Sequence, residues 1–188
     1  MSPRRAFSLA EVLVAVGLAL LLLTLLVGVL LPSLGAFRRT SSRVDMQQTA
    51  LVSMRRIRHD LERSTPASVQ VYASGGVCVL LIHRLKGLDA SGAREWEPKV
   101  VIYHFNPASA RLVRELWPNS GTASTSEPQH LEDATLAALA SSVNPNQRVV
   151  AVGVDSFEVE AGNPLKLHLA MRRGEHHLSS QEEIYLRN

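Results

Sequence analysis

The most extended pattern in the chain is an apolar stretch near its start. It runs from Phe7 to Phe37, and from Val12 onward it contains no charged residue. About 20 apolar residues in a helix are enough to cross a bilayer, so the stretch predicts a membrane-spanning helix. It contains one carboxylate, Glu11, close to its beginning. Because a carboxylate deep in hydrocarbon costs roughly 2.5–3.5 kcal/mol, we expect Glu11 to have a charged partner.

Pro32 lies inside this helical pattern, between Gly28 and Gly35. A proline within a helix removes one backbone hydrogen bond and tends to kink the helix. We therefore predict a helix kink or a softened turn at Pro32. The alternative is a helix break at the membrane surface.

Helical periodicity resumes after the apolar stretch. Apolar residues recur at steps of seven, three, three and four, and we expect them to form one stripe: Val44, Leu51, Met54, Ile57 and Leu61. The charged residues among them, including Asp60, are expected mostly off the stripe. Pro66 disfavours helical backbone in the residue before it, so the helix should end near Ser64. A helix from Phe7 to Ser64 is roughly 85 Å long at about 1.5 Å per residue, which is too long for one small domain to bury.

Beyond Pro66 the pattern changes to short apolar or alternating runs separated by turn residues, which predict strands. The predicted strands are 69–73, 77–82, 100–105, 111–117, 149–152, 157–160, 165–171 and 183–187. We expect a short helix over 131–142, loops at 87–92 and 118–129, the second exposed and mobile, and a turn at 172–177. The predicted fold class is α+β, with a long N-terminal helix packed by its second half on a mostly antiparallel sheet.

Charge adds information mainly through its placement, because the 188-residue chain carries a formal net charge of only +3. Arginines flank the apolar stretch on both sides: Arg4 and Arg5 before it, and Arg38, Arg39 and Arg43 after it. With both flanks basic, the positive-inside rule leaves the orientation open. The single cysteine, Cys78, cannot form an intrachain disulfide and lies in an apolar run, so we expect a buried strand residue.

The search for catalytic or metal-binding patterns gives no positive prediction. The chain has seven histidines, and His83, His104 and His168 lie in predicted strands, but no pair has a compact zinc-ligand spacing. There is no G-x-S-x-G, P-loop or glycine-rich dinucleotide motif. We therefore expect no catalytic residue, no metal site and no cofactor. We do not expect nucleic acid as a partner, because the arginines near Arg55 lack the interleaved aromatics of a binding face.

Two ordinary interpretations of the N-terminus fit less well. A secretory signal peptide has an apolar region of about 7–15 residues, which is shorter than the stretch observed here. A plain signal anchor explains the apolar stretch but leaves Glu11 without a role.

The residues Arg4-Arg5-Ala6, followed by Phe7-Ser-Leu-Ala-Glu11-Val-Leu-Val-Ala15, resemble the cleavage and methylation motif of type IV pilins and type II secretion pseudopilins. The resemblance implies leader cleavage between Ala6 and Phe7 by a prepilin peptidase, N-methylation of Phe7, and a subunit-assembly role for Glu11. Ala6 stands where the family usually has glycine. The physics agrees, because a new amine at Phe7 lies one helical turn from Glu11, and opposite charges attract strongly in a low dielectric.

Weaker motifs extend the resemblance into the second part of the chain. Residues 58–63, 103–115 and 185–188 resemble the J-type minor pseudopilin of type II secretion and related minor pilins. The implied organisation is a leader over 1–6, a transmembrane or filament-core half-helix over 7–37, an amphipathic half-helix over 38–65 and a periplasmic β-rich domain over 66–188.

The implied function is that of a minor pilin or pseudopilin at the tip or initiation complex of a type II secretion pseudopilus. The first alternative is a minor pilin of a type IV pilus serving adhesion, motility or DNA uptake. The second is a single-pass anchored periplasmic enzyme or binding domain.

The resemblance also implies partners and a location. The expected partners are the prepilin peptidase, other minor and major pilins or pseudopilins, an inner-membrane assembly platform and the lipid bilayer. The expected location is the inner membrane, with a periplasmic C-terminal domain, followed by a pilus or pseudopilus.

Overall fold

The computed structural model describes residues 9–118, 124–141 and 147–187. The first element, α1, is a helix of 53 residues, Leu9–Leu61. The chain divides into two compact units within this helix, Met1–Val44 and Asp45–Asn188, and each is described by itself. The predicted leader and its cleavage residues, Ala6 and Phe7, lie outside the described residues.

The first unit contains the apolar part of α1. Leu9–Leu34 forms 26 helical residues with a mean hydropathy of 3.0, none of them buried, and is long and apolar enough to cross a membrane. The hydroxyls of Thr24 and Ser33 donate to the carbonyls of Leu20 and Val29, at 2.8 and 2.7 Å. These two polar side chains are thereby satisfied within the helix, which suits an apolar environment.

Pro32 lies inside α1, and the helix continues through it. The proline therefore does not end the helix, and the alternative of a break at this position is not what the structure has. The kink at Pro32 stays a prediction.

The described residues of the second unit form the end of α1, ten strands and a short helix, and they confirm the predicted α+β class. In chain order the elements are β1 Val69–Ser74, β2 Val77–Ile82, β3 Leu85–Leu88, β4 Arg94–Trp96, β5 Val100–Asn106, β6 Arg111–Trp117, α2 Asp133–Ser141, β7 Arg148–Val152, β8 Val154–Glu160, β9 Leu165–Arg173 and β10 His176–Ile184. All pairings are antiparallel, but the strands form three sheets rather than one, in the orders β1-β2-β5-β6-β7, β10-β9-β8 and β3-β4.

Two hydrophobic cores lie on opposite faces of the five-stranded sheet. Because side chains alternate along a strand, Leu80 and Ile82 of β2 enter one core, while Val79 and Leu81 enter the other. The first core contains the buried side chains of α1 and of the three-stranded sheet. The second contains Leu136, Leu139 and Ala140 of α2.

The predicted apolar stripe of α1 is partly wrong. Met54, Ile57 and Leu61 are buried as expected, but Leu51 is 64% exposed and Val44 is 41% exposed. The buried face instead includes Met46, Ala50, Ser53 and Asp60. The prediction counted apolar side chains only, whereas this face also contains two polar side chains that are hydrogen-bonded inside the domain. The helix ends at Leu61, three positions before the predicted end.

The sequence also misses one hairpin and misplaces another strand. Strand β3 includes the first two residues of the predicted loop at 87–92, so only the residues between β3 and β4 turn. The last strand is His176–Ile184 instead of 183–187, and the turn before it is confined to the two residues after Arg173. The bounds of β10 are not recoverable from the pattern because most of its inward positions are only half-buried and its sequence is mostly polar.

Gly153 connects the two larger sheets. It is the single residue between β7 and β8, and it has φ +75. A Cβ at this position would lie 2.9 Å from the carbonyl oxygen of Arg172. The amide of Arg172 donates to the carbonyl of Gly153 at 2.7 Å, so the close approach that requires glycine also joins the junction to β9.

Candidate functional site

Glu11 lies in the first turn of α1, and its side chain is exposed. The N-terminal end of a helix carries partial positive charge, which favours a carboxylate there. The predicted methylation residue, Phe7, lies four positions earlier and outside the described residues. The structure thus places Glu11 on an exposed, membrane-length helix and leaves its pairing with the Phe7 amine as a prediction.

The end of α1 is held in the second unit by a buried ionic cluster around Asp60. The Asp60 carboxylate is 2% exposed. It accepts hydrogen bonds from Tyr103 Oη at 2.7 Å, from Arg114 Nε at 3.0 Å and from Arg84 Nη1 at 3.0 Å. Tyr103 and Arg114 are directly opposite each other on β5 and β6, so their pairing in the sheet aims both donors at one carboxylate.

The pKa of Asp60 follows from two opposed effects. Burial alone would raise the pKa of the carboxyl, but the hydrogen bonds from Arg114 and Tyr103 and the charges of Arg114 and Arg84 outweigh it. The pKa of Asp60 is therefore below its ordinary value. Burial and the neighbouring carboxylate raise the pKa of the Tyr103 phenol, so the cluster keeps a neutral phenol beside an ionised carboxylate.

The cluster continues outward to a second acid, Glu97. Arg84 binds Asp60 with one guanidinium nitrogen and Glu97 with the other, and Arg63 donates to Glu97 at 2.8 Å. Arg63, just beyond α1, is thereby joined to the segment between β4 and β5. These ion pairs attach the end of α1 to the five-stranded sheet, so we assign the cluster a structural role.

Two of the histidines are buried in different surroundings. His83 is fully buried, follows β2, and has hydrogen-bond partners at both ring nitrogens. His104, on β5, is 3% exposed, and neither ring nitrogen has a hydrogen-bond partner in the described part of the chain. Burial lowers the pKa of His104, and the charge of Glu115 opposes this shift. His168 lies in β9, where its ring and the Ser179 hydroxyl are 2.8 Å apart.

Cys78 is confirmed as a buried strand residue of β2, with 4% exposure. Burial raises the pKa of its thiol to about 11, so the thiolate that reacts with oxidants and metals is scarce at neutral pH. Within residues 9–118, 124–141 and 147–187, no three His, Cys, Asp or Glu side chains are grouped to hold a metal ion.

The part of α1 within the second unit also presents an exposed face. Leu51 and Val52 are each 64% exposed, and Arg55 and Arg56 follow them one turn later on the exposed side. Large apolar side chains exposed next to arginines are common where one protein contacts another.

Sequence reasoning identified Glu11 and Pro32 but missed the cluster around Asp60. Asp60, Tyr103 and Arg114 fall in segments 58–63 and 103–115, which the sequence marks only by their resemblance to minor pseudopilins, and Arg84 lies in neither segment. A usable signal existed, because Asp60 follows Ile57 by three positions and so shares its helix face. The chain matches no protein-family model, no curated protein and no solved structure.

Proposed function

We propose that this chain is a minor pilin-like subunit that is processed by a prepilin peptidase and assembled at the tip or initiation complex of a type II secretion pseudopilus. In this proposal the leader is cytoplasmic and the sheet domain periplasmic. The proposal rests on the N-terminal motif together with one structural observation, the two-part character of α1.

The observation is that one helix has an unburied apolar part of membrane length and a second part that is buried in a folded domain. Leu9–Leu34 is wholly unburied and of membrane length, whereas Met46, Met54 and Ile57 are 4% exposed or less in the core of the sheet domain. A signal peptide or simple anchor requires only the first property. A subunit that stores its helix in lipid and later packs it among other helices requires both.

Glu11 has the assembly role in this proposal. Cleavage after Ala6 creates an α-amine at Phe7, and the carboxylate lies one turn further along the helix. A like pairing between neighbouring helices sets their axial offset, because either charge alone is penalised in a low dielectric.

The choice of secretion pseudopilus over type IV pilus rests on the weaker motifs. Segments 58–63 and 103–115 resemble J-type minor pseudopilins, and they contain Asp60, Tyr103 and Arg114 of the cluster that attaches α1 to the sheet. Deleting the gene should therefore stop export of secreted enzymes and leave surface pili in place. Loss of pili with normal export would favour the type IV pilus instead.

The decisive experiment is intact-mass and N-terminal mass spectrometry of the protein expressed with a prepilin peptidase. The expected product begins at a methylated Phe7. Ala6→Gly, which restores the usual family residue, should be processed at least as well, and Ala6→Trp should remain uncut. A mature protein that begins at Met1, or beyond the apolar stretch, would contradict the proposal.

A further inference from the structure

Residues 124–131 form a segment that crosses the β3–β4 hairpin and reaches the edge of the five-stranded sheet, and we call this segment the strap. Trp96 donates its amide to the carbonyl of Thr125 at 2.9 Å, and the two residues form an antiparallel bridge. Leu131 exchanges two hydrogen bonds with the side chain of Gln70, at 2.7 and 3.0 Å. The sequence predicted an exposed, mobile loop here, but this part of it is attached at both ends.

Between these two attachments, the strap is bonded to a fully buried histidine. The amide of Gln129 donates to Nδ1 of His83 at 2.8 Å. The other ring nitrogen, Nε2, lies 2.6 Å from the carbonyl oxygen of Glu97. The ring also packs against Trp96, with 5.3 Å between centroids and 30° between planes. One imidazole thus joins the strap, the segment after β4 and the end of β2.

These partners allow only one protonation state. A carbonyl oxygen can only accept, so Nε2 must carry a proton, and an amide N–H can only donate, so Nδ1 must not. His83 is therefore neutral in this arrangement. A second proton would go on Nδ1 and face the Gln129 N–H, donor against donor, with no solvent to accept it.

We propose that His83 is a proton-sensitive latch, which holds the strap over Trp96 when the ring is neutral and releases it when the ring is protonated. Trp96 is 2% exposed beneath the strap. Release uncovers this indole and the edge of β4 that Thr125 occupies. The surface offered by the domain then differs between neutral and mildly acidic surroundings, whichever filament the subunit joins.

The charged groups around the ring set the direction of the response. Burial lowers the pKa of His83 below its ordinary 6.5, the carbonyl and the carboxylate of Glu97 oppose the shift, and the charge of His130 adds to it. The Glu97 carboxylate is itself bound by Arg63 and Arg84. The strap carries one acid, Glu127, which is exposed. The released ring has the ordinary pKa, so protons favour release as the pH falls below 6.5.

His130, the other histidine of the strap, is not an equivalent latch. Its Nε2 lies 2.9 Å from the carbonyl oxygen of Ala67. A neutral ring with its proton on Nε2 and a charged ring can both donate that bond. Protonation of His130 therefore leaves its attachment intact.

The test is hydrogen exchange of the full chain in detergent micelles, followed by mass spectrometry over a pH series and corrected for the intrinsic pH dependence of exchange. As the pH falls from 6.5 to the pKa of His83 in the closed state, the opening constant of the strap should rise by about tenfold per pH unit. Exchange in β9 should stay unchanged over the same series. Equal changes in both segments would show general unfolding and overturn the latch.

His83→Gln supplies one donor and one acceptor without a titratable group, so the strap should stay closed throughout. His168→Gln, which changes a histidine in β9 outside the strap, should keep the wild-type response. Strap opening in His83→Gln with the wild-type pH profile would overturn the proposal.

A second measurement uses the wild-type protein and does not depend on the variant folding. Ring ¹⁵N chemical shifts should show that, at neutral pH, Nε2 of His83 is protonated and Nδ1 is unprotonated. A proton on Nδ1 at neutral pH would equally overturn the latch.

Discussion

The Asp60 carboxylate accepts hydrogen bonds from three side chains, two of them arginines, in a site that is 2% exposed. Such an arrangement adds little net stability compared with an apolar replacement of the whole cluster, because each charge had to be desolvated. Removing one partner is different, since it leaves the remaining charges buried and uncompensated. The cluster therefore specifies how α1 ends on the sheet more than it adds to stability.

Asp60→Asn should lower the free energy of unfolding by about 3–5 kcal/mol, because it keeps the shape of the side chain and removes the carboxylate that pairs with the buried Arg114, while Arg84 keeps only its pairing with Glu97. The measurement is urea denaturation of the full chain in detergent at neutral pH. Glu160→Gln is the matched control. Its ion pair with Lys166, at 3.3 Å, is 74% and 45% exposed, so the loss should be about 0–1 kcal/mol. Equal losses in the two variants would contradict the argument.

The difference in stability between wild type and Asp60→Asn should depend on pH, and the direction follows from the pKa of Asp60. Because the folded-state pKa of Asp60 is lowered, its contribution is fully present above the ordinary value of 3.8 and is lost as the pH falls through the folded-state pKa. The stability difference between wild type and Asp60→Asn should therefore shrink in acid. A difference that persisted at low pH would assign the loss to shape rather than charge.

At the scale of elements, the sequence predicted best where periodicity and turn residues agree. The first two strands were recoverable because Val77–Ile82 is continuously apolar and Gly75 and Gly76 mark the turn before it, with φ +58 and +80. The helix α2 was recoverable from its Ala and Leu spacing. The antiparallel pairing was predicted because each predicted hairpin has a short connection, whereas the order of the strands in three sheets was not.

The missed elements lack that agreement for physical reasons. Strands β3 and β4 are short and contain one buried residue, Trp96, and Lys86 of β3 pairs with Glu95 of β4 at 2.7 Å. Strand β10 is polar along most of its length and is specified by its register with β9. The Asp60 cluster brings together residues from four distant segments, so the spacing of Asp60 and Ile57 can indicate a buried carboxylate but not which side chains pair with it.

The corrected orientation of α1 makes an element-scale prediction. Ile57 is fully buried whereas Leu51 is 64% exposed. Ile57→Ala should lower the free energy of unfolding by about 2–5 kcal/mol, and Leu51→Ala should change it by less than about 0.5 kcal/mol. Urea denaturation measures both. A loss in Leu51→Ala as large as that in Ile57→Ala would restore the stripe that the sequence suggested, because that stripe contains both residues.

For the whole molecule, the two units differ in whether their apolar side chains are exposed or enclosed. In Leu9–Leu34 the apolar side chains are exposed and the two hydroxyls are satisfied by the helix itself. In Asp45–Asn188 the apolar side chains are enclosed, and the buried Asp60 carboxylate has side-chain partners. Since exposed apolar surface of this extent is unfavourable in water, the first unit requires lipid or other helices around it, and the proposed function provides each in turn.

Within the proposed function, Glu11→Ala separates processing from assembly. The substitution lies beyond the cleavage position, so the mature protein should still begin at a methylated Phe7. Its amine then has no counter-charge among the packed helices. An uncompensated charge in hydrocarbon costs about 2.5–3.5 kcal/mol, so the ratio of filament-bound to membrane-bound subunit should fall on the order of 100-fold.

Immunoblotting of sheared filaments and of membranes measures that ratio. Thr24→Ala is the control, because Thr24 is polar and lies in the same exposed span but donates to Leu20 within its own helix. It should incorporate like wild type. If Glu11→Ala incorporates equally well, the carboxylate does not set the offset between subunits, and its place in the first turn of α1 must be explained by the helix dipole alone.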